Sequence, residues 1–206
     1  MIGFVTDRRR APDPSCAYLL GRIHVAAVAG VDFIQIRERD LPDRDLVALV
    51  RDAVREVGGT AARIVVNDRV DIALAASAAG VHLRGDSADP ARVRAIVPPG
   101  FLIGRSIHDP AEAALARDAD VLLFGTVFAS AGKPAGHRVA GLDALRAACA
   151  RARVPVLAIG GVDETNARAA ADAGAAGIAA VGIFMADRPI AEVTGMVDAI
   201  RAAFES

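Results

Sequence analysis

The sequence predicts an α/β fold, a single-domain (β/α)8 TIM barrel spanning residues 1–206. Three observations point there. Short β-rich runs alternate with longer segments of helical period along the whole chain, about eight times. The strand-like runs lack clean in–out alternation, as expected of a sheet covered on both faces. The first strand is followed by Thr6-Asp7-Arg8, not by the Gly-x-Gly-x-x-Gly turn that an open doubly wound sheet would carry.

The predicted strands are Gly3–Thr6, Phe33–Ile36, Arg63–Val66, Val81–Leu83, Phe101–Gly104, Val121–Phe124, Val156–Ile159 and Gly177–Val181. Helical spacing connects them. Behind Pro42-Asp43, residues Leu46, Leu49, Val50, Ala53, Val54 and Val57 recur every three or four positions. Val93, Ile96 and Val97 do so on a shorter scale, and Leu142, Leu145, Ala148 and Cys149 repeat the pattern. Ile190, Val193, Val197, Ile200 and Phe204 close the chain in the same way. Asp163 reads as an N-cap before a helix over Glu164–Ala173, and Gly174 as the residue that stops it. The helices between strands three and six look short.

Composition narrows the function classes. A hydrophobic content of 53% and a mean hydropathy of +0.36 exclude a disordered chain. Aromatics make up only 4%, so the packing is aliphatic. A net charge of −1 leaves no electrostatic footprint for nucleic acid or an anionic membrane. No apolar run reaches the roughly 18 residues of a membrane helix. The amino terminus places its basic residues after its apolar run, the reverse of a secretion signal. Cys16 and Cys149 lack metal or redox spacing and read as reduced thiols of a cytoplasmic protein.

In a barrel, chemistry gathers at the carboxyl ends of the strands. That rule selects Arg37 and Arg39, then Asn67-Asp68-Arg69, then Arg84, Asp86 and Ser87. It continues with Arg105, Ser106 and His108, the long loop Gly125–Gly141 with Lys133, the pair Gly160-Gly161, and Gly182. Guanidiniums are bidentate receptors for phosphate oxygens. Glycines after strands seven and eight let bare N–H groups approach a phosphate, although the Gly-Gly pair also fits a tight turn before Asp163. Asn67, Asp68 and Asp86 are oxygen ligands of the kind Mg²⁺ takes alongside substrate phosphate. Asp68 also reads as a cap for a helix starting near Val70, the commoner role of a single Asp at a helix start. His82 and His108 read as metal ligands, as proton carriers, or as satisfied structural residues. The Gly125–Gly141 loop exceeds the usual connection length and is expected to be a mobile lid carrying Lys133.

Seven segments in order carry a family resemblance. They are Phe4-Val5-Thr6-Asp7, Ile34-Gln35-Ile36-Arg37-Glu38-Arg39, Val66-Asn67-Asp68-Arg69-Val70-Asp71-Ile72-Ala73, Gly80-Val81-His82-Leu83, Ile103-Gly104-Arg105-Ser106-Ile107-His108, Phe124-Gly125-Thr126-Val127-Phe128 and Ala158-Ile159-Gly160-Gly161-Val162. Together they resemble the thiamine phosphate synthase family of barrels, which also contains thiazole tautomerases. The resemblance implies a transferase that couples hydroxymethylpyrimidine diphosphate to thiazole phosphate and releases pyrophosphate. It implies that Arg37, Arg39 and Lys133 hold the pyrophosphate, with Gln35, Ser106 and Ser130 nearby. Asn67, Asp68 and Asp86 would hold Mg²⁺, and Gly161 and Gly182 the thiazole phosphate. The implied partners are these small phosphorylated molecules, with no nucleic acid and no membrane, and a homo-oligomer is compatible with the sequence.

The chain departs from the family pattern at four places. Arg39 stands where lysine is usual, and Ser130-Ala131-Gly132-Lys133 keeps one hydroxyl where the pattern has two. Arg84-Gly85-Asp86-Ser87 replaces Gly-Gln-x-Asp, and Gly182 replaces a serine. The alternatives are a thiazole tautomerase and a non-catalytic barrel that binds a thiamine precursor. A tautomerase needs a general base. The resemblance places a histidine for that purpose at the position of Thr126, whose hydroxyl does not titrate near neutrality.

Overall fold

The computed structural model describes residues 1–130 and 138–205. Eight parallel strands close into a barrel in chain order, each hydrogen-bonded to the next and the eighth to the first. They are β1 (Ile2–Val5), β2 (Phe33–Ile36), β3 (Arg63–Asn67), β4 (Gly80–Leu83), β5 (Leu102–Ile107), β6 (Val121–Gly125), β7 (Val156–Ile159) and β8 (Gly177–Ala180). All eight predicted strands are present; β2 and β7 match at both ends, and the other ends differ by at most three residues.

Among the described residues eight α-helices surround them: α1 (Cys16–Val28), α2 (Asp43–Glu56), α3 (Val70–Ala75), α4 (Pro90–Arg94), α5 (Gly141–Arg151), α6 (Ala167–Asp172), α7 (Gly182–Met185) and α8 (Ile190–Ala202). A 3-10 turn at Pro110–Ala114 stands where a helix would follow β5. Ser15 caps α1 by accepting from the Tyr18 N–H at 3.1 Å. Asp89 does the same for α4 through Ala91, with Pro90 at the first helical position. Among the described residues no helix is long and apolar enough to cross a membrane. Both cysteines are free thiols.

Period two along the strands sorts side chains into two layers. Ile34, Ile36, Ile64, Val66, Val81, Leu83 and Ile103 face the helices and join one large core. Val5, Leu123, Leu157 and Ala179 form a separate apolar cluster inside the barrel. At β2 to β5 the interior instead carries Gln35, Asn67, His82 and Ser106, which the register brings around one end of the barrel.

Three expectations are corrected. Ile96 is 69% exposed, because α4 ends at Arg94 and the chain turns before a second buried face can form. Helix α6 starts at Ala167, not Glu164. Asp163 caps a turn instead, its Oδ1 accepting from the Thr165 N–H at 2.9 Å and hydroxyl at 2.6 Å. Asp68 caps nothing: α3 begins after Arg69 without a side-chain cap, and the Asp68 carboxylate points elsewhere. Gly174 stops α6 as expected, with φ of 90°.

Candidate active site

The extended segment after β2 alternates sides, so Gln35, Arg37 and Arg39 face one way and Ile36 and Glu38 the other. The first three line a cavity of about 950 Å³ at the carboxyl ends of the strands. Glu38 is 3% exposed, whereas Arg39 and Asp40 beyond it are exposed. The Arg8 N–H lies 3.2 Å from each Glu38 carboxylate oxygen, and the Thr6 hydroxyl also bonds it. Burial nonetheless pushes that carboxyl above its ordinary range. The same Thr6 oxygen accepts from the Arg37 N–H at 2.9 Å, fixing the start of the segment.

Arg37 is half-buried, with Nη1 3.7 Å from Asp7 Oδ2. Burial, and then the like charge of Arg39, lowers its pKa from the ordinary value. A negative charge placed beside it would offset both effects. Arg39 is exposed and, among the described residues, has no carboxylate paired with it.

Gln35 is buried and donates from Nε2 to Asn67 Oδ1 at 3.0 Å, which leaves Gln35 Oε1 buried without a partner. A neighbour that donates a hydrogen bond would satisfy it. On β4, His82 Nε2 lies 2.8 Å from Ser106 Oγ. Gly104 makes room for that ring, since a Cβ there would lie 2.4 Å from His82 Nδ1. Burial lowers the His82 pKa to about 4, so the ring is neutral at pH 7. His82 is thus the satisfied structural residue among its readings, and it orients Ser106, which lines the cavity. His108 reaches the cavity rim with Nδ1 2.6 Å from the Gly125 carbonyl oxygen.

The opposite wall includes glycine backbone at the ends of β7 and β8. Gly160 and Gly161 have φ of 95° and 65°, a region that favours glycine. A Cβ on Gly161 would stand 2.3 Å from the Ala129 carbonyl oxygen, so the β6 and β7 loops pack directly against each other. Asn166 Nδ2 holds the turn by donating to the Gly161 carbonyl at 2.8 Å. Gly182 opens α7 beside it and also lines the cavity.

Of the sequence-predicted site residues, Gln35, Arg37, Arg39, Asn67, Asp86, Ser106, Ser130, Gly161 and Gly182 line this one cavity. Asp68 sits just behind the lining, its Oδ1 accepting from the Ser87 hydroxyl and its Oδ2 3.0 Å from Arg84 Nε. Lys133, and with it residues 131–137 of the expected lid, lies outside the described residues. Sequence reasoning missed Arg10, Arg188 and Glu112, which also line the cavity. Arg10 Nη2 comes within 3.5 Å of the point a Cβ on Gly182 would occupy. The strand-end rule could have found it, because Asp7-Arg8-Arg9-Arg10 follows β1 directly. Thr126 is not part of the lining, and its methyl packs toward Gly160.

The family profile described as thiamine monophosphate synthase matches residues 2–184. The chain belongs to that family. It is 38% identical over 192 residues to the thiamine-phosphate synthase of Methanoculleus marisnigri, covering 89% of this chain and 90% of that protein. Against the thiamine-phosphate synthase of Coprothermobacter proteolyticus it is 35% identical over 182 residues, covering 86% and 83%. The thiamine phosphate pyrophosphorylase of Pyrococcus furiosus superposes with a TM-score of 0.82 at 30% identity, covering 99% of this chain and 95% of that one.

Proposed function

We propose that this cavity joins hydroxymethylpyrimidine diphosphate to thiazole phosphate, releasing pyrophosphate and forming thiamine phosphate. The observation that carries the reading is a single cavity with two dissimilar anion-binding walls. Arg37 and Arg39 line one, and the glycine backbone of the β7 and β8 ends lines the other. Substrates with a diphosphate and a phosphate call for that division.

In the reaction, the bond from the pyrimidine methylene carbon to the diphosphate oxygen breaks, and its electron pair leaves with pyrophosphate. The thiazole nitrogen then donates its lone pair to that carbon. Arg37 and Arg39 meet the charge that accumulates on the leaving group, where preorganised donors act most strongly. Ser106, held by His82, and the unpaired Gln35 Oε1 orient the pyrimidine. The Gly160-Gly161 turn and the Gly182 N–H anchor the thiazole phosphate, and Arg10 adds positive charge beside it.

The family implies Mg²⁺, and the donor set fits. Asn67, Asp68 and Asp86 offer only hard oxygen atoms, gathered at the ends of β3 and β4. Among the described residues no cluster of three acidic, histidine or cysteine groups forms a closed metal cage. Mg²⁺ commonly takes one or two carboxylates and completes its coordination with substrate phosphate oxygens. When bound, Mg²⁺ neutralises part of the diphosphate charge. The test is product formation from the two purified substrates with Mg²⁺, followed by chromatography. Equimolar thiamine phosphate and pyrophosphate are expected. Product no faster than the enzyme-free background would overturn the reading.

A further inference from the structure

The geometry points to a role for Arg84: we propose that it is a resident cation, competing with the divalent metal for Asp68 and Asp86 and yielding them when diphosphate arrives. This rests on the metal assignment above and concerns a residue that departs from the family pattern.

Arg84 Nε lies 3.0 Å from Asp68 Oδ2 and 3.3 Å from Asp86 Oδ1. The guanidinium therefore stands between the two carboxylates assigned to Mg²⁺. The other Asp68 oxygen is engaged as well, by the Ser87 hydroxyl and, at 3.5 Å, by the Arg84 N–H. A metal reaching Asp68 must displace or repel that guanidinium. A divalent ion about 5 Å from a fixed unit charge of the same sign loses on the order of tenfold in affinity even at the dielectric of water.

The hold is built to be released. Arg84 Nε is buried yet makes no hydrogen bond, so charge and not an aligned N–H keeps it there. The Asp86 side chain is 77% exposed, and a wet ion pair of this kind contributes little. Arg84 itself lines the cavity with Arg37 and Arg39. Once displaced, it remains at a cavity that would receive the diphosphate, which a guanidinium grips through two oxygens. Metal and diphosphate then help each other through Arg84, and the coupling is reciprocal. Without diphosphate, the site resists loading with metal alone.

Calorimetric titration of Mg²⁺ into the protein, with no phosphate compound present, tests this directly. Arg84→Ala and the bulkier Arg84→Gln should each bind Mg²⁺ on the order of tenfold more tightly than the parent chain. Inorganic pyrophosphate should narrow that gap. Asp68→Asn in the Arg84→Ala background should abolish the gain. Equal or weaker Mg²⁺ binding by both Arg84 variants, or no binding by any form, overturns the proposal. The synthase assay fails separately: tightened Mg²⁺ binding without turnover would remove the proposed reaction and leave the competition standing, and turnover without tightening would do the reverse.

Discussion

At the β2 to β5 side of the cavity the chemistry rests on side chains, Gln35, Arg37, Arg39, Asn67 and Ser106, whereas at the β7 and β8 side Gly160, Gly161 and Gly182 present only backbone. The two walls fail differently. Removing a side chain deletes one interaction and leaves its support standing. Adding a single carbon to the glycine wall moves a loop, because the space and the backbone angle are already committed. Substitutions can therefore be ranked by which wall they touch.

The largest effect is expected from Gly161→Ala. Its Cβ would meet the Ala129 carbonyl at 2.3 Å on a residue with φ of 65°. Stability should fall by about 2 kcal/mol, and kcat/KM by on the order of 10³, since both the strain and the displaced anchor count. A near-parental melting temperature together with full turnover would mean that the two loops do not lock as described.

Arg37→Ala probes the other wall. Turnover should drop on the order of 10²–10³ with little change in melting temperature, as for loss of one preorganised donor. Near-full activity would show that the diphosphate lies elsewhere.

His82 tests the support behind the side-chain wall. Burial depresses its pKa from 6.5 to about 4, so the folded state favours the neutral ring. The resulting stability is complete above pH 6.5. It is lost as pH falls through the window toward 4, on the order of 3 kcal/mol in all. His82→Gln should flatten the stability profile across that window in denaturant titrations. Parallel losses in parent and variant would contradict a buried neutral imidazole.

The smallest effect is expected from Arg39→Lys. Arg39 is exposed and, among the described residues, unpaired, so a point charge should serve almost as well there, with kcat/KM changing roughly threefold or less. A hundredfold loss would make Arg39 a geometric ligand and bring it level with Arg37.

The barrel was legible because eight β-rich runs and their helical connections are each local patterns. The cationic wall was legible for a related reason: a residue at a strand end inherits its position from the strand. Contacts between distant segments were not. Nothing local shows that Glu38 turns inward to hold Arg8, that Asp68 meets Arg84 and Ser87, or that His82 fits over Gly104. Ile96 and Asp163 show the opposite failure. Helical spacing and a capping residue were present, but the chain turned before Ile96 could be buried and delayed the helix beyond Asp163.

The barrel interior is divided lengthwise. Val5, Leu123, Leu157 and Ala179 of β1 and β6 to β8 form an apolar cluster, with Phe33 of β2 packed against it, while the carboxyl ends of β2 to β5 contribute amide, imidazole and hydroxyl groups. The apolar part is a keel: it resists substitution and keeps its shape whether or not a substrate is present. The hydrogen-bonded part specifies by its donors and acceptors instead, and it is packed as well, since His82 fits only over a glycine.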